Sequence, residues 1–437
     1  MPLPRILIFG QVFNWSTGGG ITLSNLFKDW DKDKLAVANT GHAFSDVNTD
    51  ICNSYYLLGN KEHKWIFPFN KLQRKFTSGV FEITKNIDKN GNKKQREAYK
   101  TGFRKKIVTQ VLFPFLEYWG LFHTISSLKI SEEFRNWLNN FKPEVLYVQV
   151  SNRVGILFAQ ELHSYLKIPL VIHNMDDWPS TISQKGLLKR YWHKKIDKDF
   201  RTLINQSSLL MTISDDMANE YKKRYKKKSV TFHNTIDIGF WKQYQRNDYE
   251  LHETPTILYA GRIGPGVETS LELIAKAVQQ VKEEFHISIK FILQTQENLP
   301  WFNKYNCVKH SPPVPYKDLP KKFSESDFLI LPYDFSEESI NFIRFSMPTK
   351  APEYMISGTP IIIFAPEMTA IVNHAKKFNW AIVITKKSSS ELVKAIIFLI
   401  QNKGARETIG VNAKKIAEKD FDSNIVGDRF IRAISSI

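Results

Sequence analysis

This chain of 437 residues has only two cysteines, no long apolar run and no excess of acidic residues. The two cysteines, Cys52 and Cys307, lie far apart in the sequence, which excludes a disulfide framework and a cysteine-rich metal site. No run of about 18 uncharged apolar residues is present, so we expect no membrane-spanning helix. The opening residues MPLPRILIFG also lack a signal-peptide pattern. Together these absences predict a cytoplasmic protein.

Basic residues outnumber acidic ones, with 61 Lys and Arg against 44 Asp and Glu and a formal net charge of +17. This balance favours an anionic partner, which could be nucleic acid, a phosphate-bearing small molecule or a membrane surface. The lysines at 222–228 are most simply interpreted as a solvated rim, because no aromatic stacking motif, zinc spacing or recognition helix accompanies them. We therefore predict no nucleic-acid partner.

The alternation of apolar runs with helical patterns predicts an α/β fold with two doubly wound domains. The length exceeds what one hydrophobic core usually supports. The strand RILIFG opens a first series of strands and helices, and a second series begins at the strand TILYAGR. The polar stretch 243–255 between them is typical of a linker. We accordingly predict domains at 1–245 and 246–423.

Three glycines, Gly18, Gly19 and Gly20, follow the first strand and precede a helix predicted over 21–30. At the carboxyl end of a parallel strand, glycine lets the backbone approach a phosphate or a sugar closely. The loop matches neither the dinucleotide fingerprint nor the phosphate-binding lysine loop, so a flexible turn without a ligand is the alternative.

His173, Asp176 and Asp177 follow another predicted strand, IPLVIHN. Open parallel sheets bind ligands at such strand ends, which makes these residues candidates for chemistry. The alternatives are a hydrogen-bonded structural histidine and aspartates that only form a turn or a helix cap.

A basic segment at 85–106 precedes an aromatic segment at 107–125. Trp119, Phe113 and Phe115 could insert into an anionic membrane surface while the lysines contact head groups. The alternative is a solvated loop followed by a core helix.

The stretch SMPTKAPEYMISG at 346–358 is predicted to begin a helix near Pro348 and to end it at Gly358. A polar loop leads into it from the strand FLILP, so its backbone N–H groups and positive helix end suit an anionic ligand. Lys350 and Glu353 stand three residues apart in this helix. The alternative is an ordinary salt pair on the surface.

The order of these motifs resembles that of the GT-B glycosyltransferases, and among them the retaining family 4 type. The resemblance rests on STGGG, VIHNMDDWP, LLMTISDDMANEY with FHNTID, LYAGR, and SMPTKAPEYMISGTPIII. It implies two Rossmann-like domains facing across a cleft, with a C-terminal helix at about 424–437 completing the first. It also implies no tightly bound cofactor, since a UDP- or GDP-linked sugar serves as co-substrate.

The resemblance assigns roles to particular residues. Glu353 matches the glutamate that accepts hydrogen bonds from the donor ribose, a task suited to two carboxylate oxygens. Arg262 matches the arginine that neutralises the diphosphate. The implied neighbours of the phosphates and the donor sugar are Gly261, Ser346, Met347, Pro348 and Thr349 in the second domain and Gly19 and Gly20 in the first. His173 falls near the histidine beside the reacting sugar, and Asp177 is a further catalytic candidate at the same strand end.

Two positions depart from the family pattern. Phe345 stands where the family has a first glutamate that contacts the donor sugar, and Glu268 stands where it has a lysine. We hypothesise that Lys350 supplies the missing positive charge. The alternative for Lys350 is a lysine in solvent on the first helical turn.

The implied reaction moves a hexose from a nucleotide sugar to a hydroxyl of a glycan or of a polyprenyl-diphosphate-linked acceptor, as in polysaccharide biosynthesis. The resemblance implies retention of anomeric configuration without a metal ion, since Arg262, Lys350 and helix N-termini would stabilise the departing diphosphate. Peripheral attachment to the inner face of the plasma membrane would fit the charge. Two alternatives remain, namely a nucleotide-sugar epimerase of the same fold and a non-catalytic basic protein that binds membrane or nucleic acid.

Overall fold

The computed structural model describes residues 3–40, 44, 47–73, 76–81, 108–182, 186–264 and 266–437. The chain divides into two compact units. The first comprises Met1–Thr212, Ala218–Phe232 and Gly427–Ile437, and the second comprises Ile213–Met217 and His233–Val426. The main crossing into the second unit thus falls at His233, whereas the predicted boundary lies at 245. The basic segment 85–106 lies outside the described residues.

Parallel strands form the centre of the first unit. Its strands within the described ranges are β1 (Ile6–Phe9), β2 (Leu35–Thr40), β3 (Ser54–Leu58), β4 (His63–Trp65), β5 (Gly79–Val80), β6 (Ser126–Leu128), β7 (Val145–Val148), β8 (Leu170–Asn174), β9 (Leu209–Thr212) and β10 (Val230–Thr231). Eight of these described strands make one sheet in the order β10-β9-β8-β7-β1-β2-β3-β5, in which β5 alone runs antiparallel to its neighbour. β4 and β6 form a separate antiparallel pair.

Polar side chains cap several of the helices in the first half of the chain. The helices of this half are α1 (Gly18–Leu26), α2 (Phe113–Tyr118), α3 (Glu132–Phe141), α4 (Arg153–Leu166), α5 (Trp178–Thr181), α6 (Lys189–Gln206) and α7 (Asp215–Tyr225). Ser131 caps α3 by accepting from the N–H of Phe134, and Asn152 caps α4 by accepting from that of Gly155.

The second unit contains a six-stranded parallel sheet within the described residues. Its strands are β11 (Thr256–Ala260), β12 (Lys290–Gln294), β13 (Val308–Ser311), β14 (Phe328–Pro332), β15 (Ile361–Phe364) and β16 (Ile382–Ile384), in the order β13-β12-β11-β14-β15-β16. Every residue of β14 and β15 is buried, as expected for apolar strands covered on both faces.

The remaining helices follow in chain order. They are α8 (Ile238–Lys242), α9 (Glu268–Phe285), α10 (Leu319–Ser324), α11 (Glu337–Ile343), α12 (Lys350–Ser357), α13 (Ala370–Phe378), α14 (Ser389–Gln401), α15 (Lys403–Asp420) and α16 (Ser423–Ser435). No helix among the described residues is long and apolar enough to cross a membrane.

One helix begins three residues earlier than the sequence predicts. The glycines were expected in a loop ahead of a helix over 21–30, but α1 begins at Gly18 because Thr17 caps it by accepting from the N–H of Gly20. The predicted segment MDDWPST likewise contains a short helix, α5. Pro114 lies in the first turn of α2, where its missing N–H costs nothing, so it starts that helix without breaking it.

Candidate functional site

Helix α12 carries the most unusual pair of charges in the second unit. It ends at Gly358, whose φ of 75° is the left-handed conformation that glycine adopts without strain. Glu353 in its first turn is only 8% exposed, and Lys350 is half-buried. The predicted alternative of a solvent-exposed salt pair is therefore wrong.

The ammonium group of Lys350 lies over an aromatic ring. Its Nζ is 4.5 Å from the centroid of the Tyr259 ring. Tyr259 lies near the carboxyl end of β11. A Cβ atom at Gly261 would lie 1.7 Å from that Nζ, so only glycine leaves room for the ammonium group there. The strand end thus offers a cation, which corrects the alternative of a lysine in solvent.

Burial perturbs both charges of this pair. It lowers the pKa of Lys350 to about 8, and the Glu353 carboxylate opposes that change. Burial also raises the pKa of Glu353 to about 7, while Lys350 and the hydroxyl of Tyr316 oppose the rise. A ligand that brings negative charge to Lys350 and hydroxyl donors to Glu353 would stabilise both charged forms.

Hydrogen bonds from two side chains to backbone carbonyl groups hold the loop that leads into α12. The Ser214 hydroxyl donates to the carbonyl of Phe345 at 2.6 Å, and the Asn234 side-chain amide donates to that of Met347 at 2.8 Å. Both donors belong to the second unit. These bonds fix the backbone through the predicted ligand loop of Ser346, Met347, Pro348 and Thr349. Its shape is therefore set before any ligand arrives.

Arg262 follows Gly261 directly and is exposed. The Tyr259 hydroxyl donates to the Arg262 carbonyl at 2.6 Å, which ties this turn to the ring beneath Lys350. Burial tends to raise the pKa of Glu297, but hydrogen bonds from Thr295 and from backbone N–H groups, together with the charge of Arg262, hold it below its usual value. Glu268, the departure from the family lysine, lies in the first turn of α9.

Sequence reasoning missed the aromatic residues of this site. Tyr316 lies in the turn after β13, stacks on Phe240 with ring centroids 5.5 Å apart, and contributes its hydroxyl near Glu353. Tyr259 belongs to the predicted strand TILYAGR, where no motif marks it as a site residue. Tyr259 lies near the end of β11, and Tyr316 follows β13 of the same parallel sheet. Their position at strand ends is the one sequence signal that could have marked them as site residues.

The predicted glycines of the first unit occupy the first turn of α1. A Cβ atom at Gly20 would lie 2.3 Å from the Asn14 side chain, and one at Gly19 would lie 3.1 Å from that of Gln11. The Asn14 carbonyl oxygen accepts from the N–H of Thr17 at 2.8 Å. Packing of Asn14 against the helix start is therefore one reason for glycine at 20.

His173, at the end of β8, is only 1% exposed. Its Nδ1 lies 2.6 Å from the Tyr147 hydroxyl. Burial lowers its pKa to about 3, although the carbonyl of Phe232 opposes this, so the ring is neutral near pH 7. A neutral, enclosed ring favours the structural alternative over direct contact with a substrate.

Asp177 is the acceptor of a buried network. Its carboxylate accepts from Arg224 at 2.9 Å, from the Tyr221 hydroxyl at 3.1 Å and from the Ser180 hydroxyl at 2.5 Å. Its side chain is 1% exposed. These contacts account for both oxygens, and they favour a structural part for Asp177 over a catalytic one.

No group of three or more His, Cys, Asp or Glu side chains is placed to hold a metal ion in the part of the chain that the structure describes.

The second unit has a recognisable family relationship. Residues 254–402 match the family model described as Glycosyl transferases group 1. A search of curated proteins finds no sequence match to the chain.

Solved structures share the fold over nearly the whole chain. Sucrose-phosphate synthase from Thermosynechococcus elongatus has a TM-score of 0.62 at 11% identity, with 99% of this chain and 98% of that chain covered. HepE from Anabaena, in complex with UDP and glucose, has a TM-score of 0.59 at 13% identity, with 99% and 100% covered. WaaG, a glycosyltransferase involved in lipopolysaccharide biosynthesis, has a TM-score of 0.56 at 11% identity, with 97% and 99% covered.

The chain therefore has the GT-B fold, and residues 254–402 of its second unit match the Glycosyl transferases group 1 model. The predicted fold class and the predicted resemblance to GT-B glycosyltransferases are both confirmed.

Proposed function

We propose that this protein is a glycosyltransferase whose second unit binds a nucleotide sugar at the carboxyl ends of β11 and β14. The observation that carries the proposal is the pair of half-buried Lys350 and buried Glu353 beside Gly261, inside the domain that matches the glycosyl transferases group 1 model. The pair combines a cation for a diphosphate with a carboxylate for ribose hydroxyls. The relative HepE in complex with UDP and glucose supports a uridine donor.

Each group then has one task. Glu353 accepts hydrogen bonds from two ribose hydroxyls, and Lys350 and Arg262 neutralise the diphosphate. Backbone N–H groups of the loop Ser346–Thr349 hold the distal phosphate and the donor sugar. Tyr316, close to Glu353, borders the nucleoside.

The chemistry exchanges one bond for another. The acceptor oxygen bonds to the anomeric carbon while the bond from that carbon to the diphosphate oxygen breaks. The acceptor proton passes to the departing phosphate, and Lys350 and Arg262 stabilise the charge that gathers on it. Attack on the face that the diphosphate leaves would retain the configuration of the sugar, and these cations would make a metal ion unnecessary.

The family glutamate that contacts the donor sugar is absent here, so other groups recognise that sugar. Phe345 holds that position, and the guanidinium of Arg344 lies 5.1 Å from its ring centroid. An aromatic ring and a cation cannot accept hydrogen bonds from sugar hydroxyls as a carboxylate does. We infer that the donor sugar presents an apolar edge or an acceptor group there.

An exposed apolar patch on the first unit suits a membrane-bound acceptor. This aromatic patch consists of Val111, Phe115, Tyr118, Trp119, Leu121, Leu187, Leu188 and Tyr191, all exposed. The N–H of Leu187 donates to the carbonyl of Tyr118 at 2.8 Å, which joins its two segments. The patch is followed in the sequence by three exposed basic residues, Lys189, Arg190 and Lys194.

Such a mixture of aromatic and basic side chains is typical of proteins that lie on anionic membranes. We infer a cytoplasmic enzyme that attaches peripherally to the inner face of the plasma membrane and meets a glycan on a polyprenyl diphosphate there, as in polysaccharide biosynthesis. Phe113, predicted for the membrane interface, packs against Phe122 with centroids 5.7 Å apart.

A panel of UDP- and GDP-linked hexoses tests the function. Acceptor-dependent release of the nucleoside diphosphate, or slow hydrolysis of one donor, is the expected result, and Glu353→Gln should abolish most of it. Isomerisation of a donor without release would instead identify an epimerase. Failure of every nucleotide sugar to bind would reject the proposal in favour of a non-catalytic protein.

A further inference from the structure

Two side chains from outside the loop 346–349 hold it in place. The Ser214 hydroxyl donates to the carbonyl of Phe345, and the Asn234 amide donates to the carbonyl of Met347. Each peptide group is planar, so holding these two groups restricts the rotation of the one between them, which carries the N–H of Met347. The direction of that N–H is therefore set by Ser214 and Asn234.

Both supporting side chains are themselves fixed in orientation. The Ser214 oxygen accepts from the N–H of Met217 at 3.1 Å, at the start of α7. A hydroxyl has a single hydrogen, and the carbonyl of Phe345 receives it. Ser214 is 2% exposed and Asn234 is 4% exposed, so little water can compete for either bond.

The two supports belong to separate segments of the second unit, and an imidazole ring links these segments. The chain enters the second unit at Ile213 and again at His233, and each support is the residue that follows. The Nδ1 atom of His233 lies 2.9 Å from the carbonyl oxygen of Ile213. A carbonyl can only accept, so Nδ1 carries the hydrogen and donates it. One hydrogen bond thus ties together the two segments that carry Ser214 and Asn234.

The ring of His233 is held on its other side by residues of the same unit. Its centroid lies 5.3 Å from that of Phe421 and 6.2 Å from that of His374. The Trp380 indole N–H donates to Nδ1 of His374 at 2.9 Å, and the N–H of Ile236 donates to the carbonyl of Phe421 at 2.9 Å. These contacts anchor the linking ring to the body of the second unit.

We propose that His233 is a positioning residue for donor binding, and that its bond to Ile213 directs the N–H of Met347 at the distal phosphate of the nucleotide sugar. The bond does so by keeping the Ser214 and Asn234 side chains in register with the loop they hold. The inference rests on the proposed function and deepens it, because it names the residues that set the shape of the phosphate-binding loop.

The effect of His233 should fall on one part of the ligand. The proposed function places the distal phosphate at the loop and the ribose at Glu353 in α12. UDP has the distal phosphate and UMP lacks it, while both have the ribose. A disturbed loop should therefore weaken UDP and spare UMP, whereas general damage to the second unit would weaken both.

Two variants of the full chain separate the hydrogen bond from the packing of the ring. His233→Phe keeps a ring against Phe421 but cannot donate, and His233→Asn keeps an amide N–H near the place of Nδ1 but removes the ring. Calorimetric titration should show UDP affinity falling about fivefold in His233→Phe, the scale of one hydrogen bond. UMP affinity should stay within about twofold, and His233→Asn should bind UDP nearly as the wild type does.

A matched control exists in the first unit. His163 is half-buried like His233, and its Nδ1 lies 3.1 Å from the carbonyl oxygen of Ile168. His163→Phe removes the same kind of bond and should leave the ratio of UDP to UMP affinity unchanged. Ser214→Ala removes the bond to Phe345 directly and should show the same selective loss of UDP affinity as His233→Phe.

Several results would overturn the inference. Wild-type UDP affinity in His233→Phe, equal loss of UDP and UMP, or equal impairment of His233→Asn would each reject it and leave the proposed function standing. Failure of the wild-type protein to bind either nucleotide would reject the proposed function, and this inference with it. If His233→Phe does not fold, Ser214→Ala decides, because unchanged UDP affinity there would show that the bonds to the loop do not matter for the donor.

Discussion

The ammonium nitrogen of Lys350 lies 4.5 Å from the centroid of the Tyr259 ring, in space that any side chain on residue 261 would occupy. The Lys350 ammonium group of helix α12 thus lies against strand β11 and the turn that follows it. Burial disfavours its charge, and the Glu353 carboxylate in the same helix favours it. Donor binding should therefore respond both to substitutions at this site and to pH.

Replacing Glu353 by Gln should weaken binding of UDP or GDP by about 1–3 kcal/mol, because a charge-assisted acceptor for ribose hydroxyls is lost. Calorimetric titration measures the change. Glu325→Gln, an exposed carboxylate of the same unit, is the matched control and should bind as the wild type does. Unchanged affinity in Glu353→Gln would reject the ribose assignment.

Donor binding should depend on pH in a narrow window. The Glu353 carboxylate forms as pH rises through about 7, and the Lys350 ammonium is lost as pH rises through about 8, so affinity should increase through the first value and fall beyond the second. UDP-glucose is the suitable ligand, since its diphosphate does not titrate there. Lys350→Arg keeps its charge at high pH and should lack the alkaline fall. A flat profile in the wild type would contradict the assigned pair.

Gly261→Ala should displace the ammonium group of Lys350, because the new Cβ would lie 1.7 Å from it, and the φ of 156° at this position adds backbone strain. We expect donor affinity to fall about tenfold while the fold persists, since the flexible end of a lysine can move. Gly264→Ala is a close control in the same turn, where a Cβ would meet nothing within 4 Å. Equal titration curves for the two variants would show that Lys350 does not contact the donor.

Asp177→Asn should lower the free energy of unfolding by about 3 kcal/mol, because it leaves the half-buried Arg224 without its closest partner. Denaturant unfolding measures this. Asp197→Asn, which removes a more exposed pair with Arg201, should cost about 1 kcal/mol or less. If Asp177 serves structure alone, folded Asp177→Asn keeps its kcat at low temperature. A drop in kcat of about a hundredfold would restore the catalytic role.

Sedimentation with vesicles tests the aromatic patch. The protein should bind phosphatidylglycerol vesicles more than phosphatidylcholine vesicles, and the binding should weaken with salt. Trp119→Ser combined with Leu187→Ser should abolish most of it. Phe285→Ser, another exposed aromatic change at the end of α9, should not. Binding that ignores both lipid charge and these substitutions would count against membrane attachment.

Much of the fold could be predicted because parallel strands are nearly continuous apolar runs. FLILP and PIIIF became β14 and β15, and Gly358 ended α12 as expected. The start of α1 was misplaced, since three glycines suggest a loop while the cap at Thr17 outweighs their low helix propensity.

The site was only partly predictable. The spacing of Lys350 and Glu353 is local and could be read from one helix. Tyr259 lies in β11 and Tyr316 in the turn after β13, and no motif links them to that helix. The partner of Asp177 is Arg224, 47 residues later, so its buried network could not be inferred from the aspartate and its neighbours.

The sequence by itself determined the two α/β units, the helix that carries Lys350 and Glu353, and the resemblance to GT-B glycosyltransferases, because hydrophobic periodicity and short motifs are local properties. Only the tertiary structure decided which charges are buried. It placed Lys350 over Tyr259, enclosed His173 and paired Asp177 with Arg224. Burial and charge pairing depend on residues distant in sequence, and they decide which of several plausible side chains can meet a ligand.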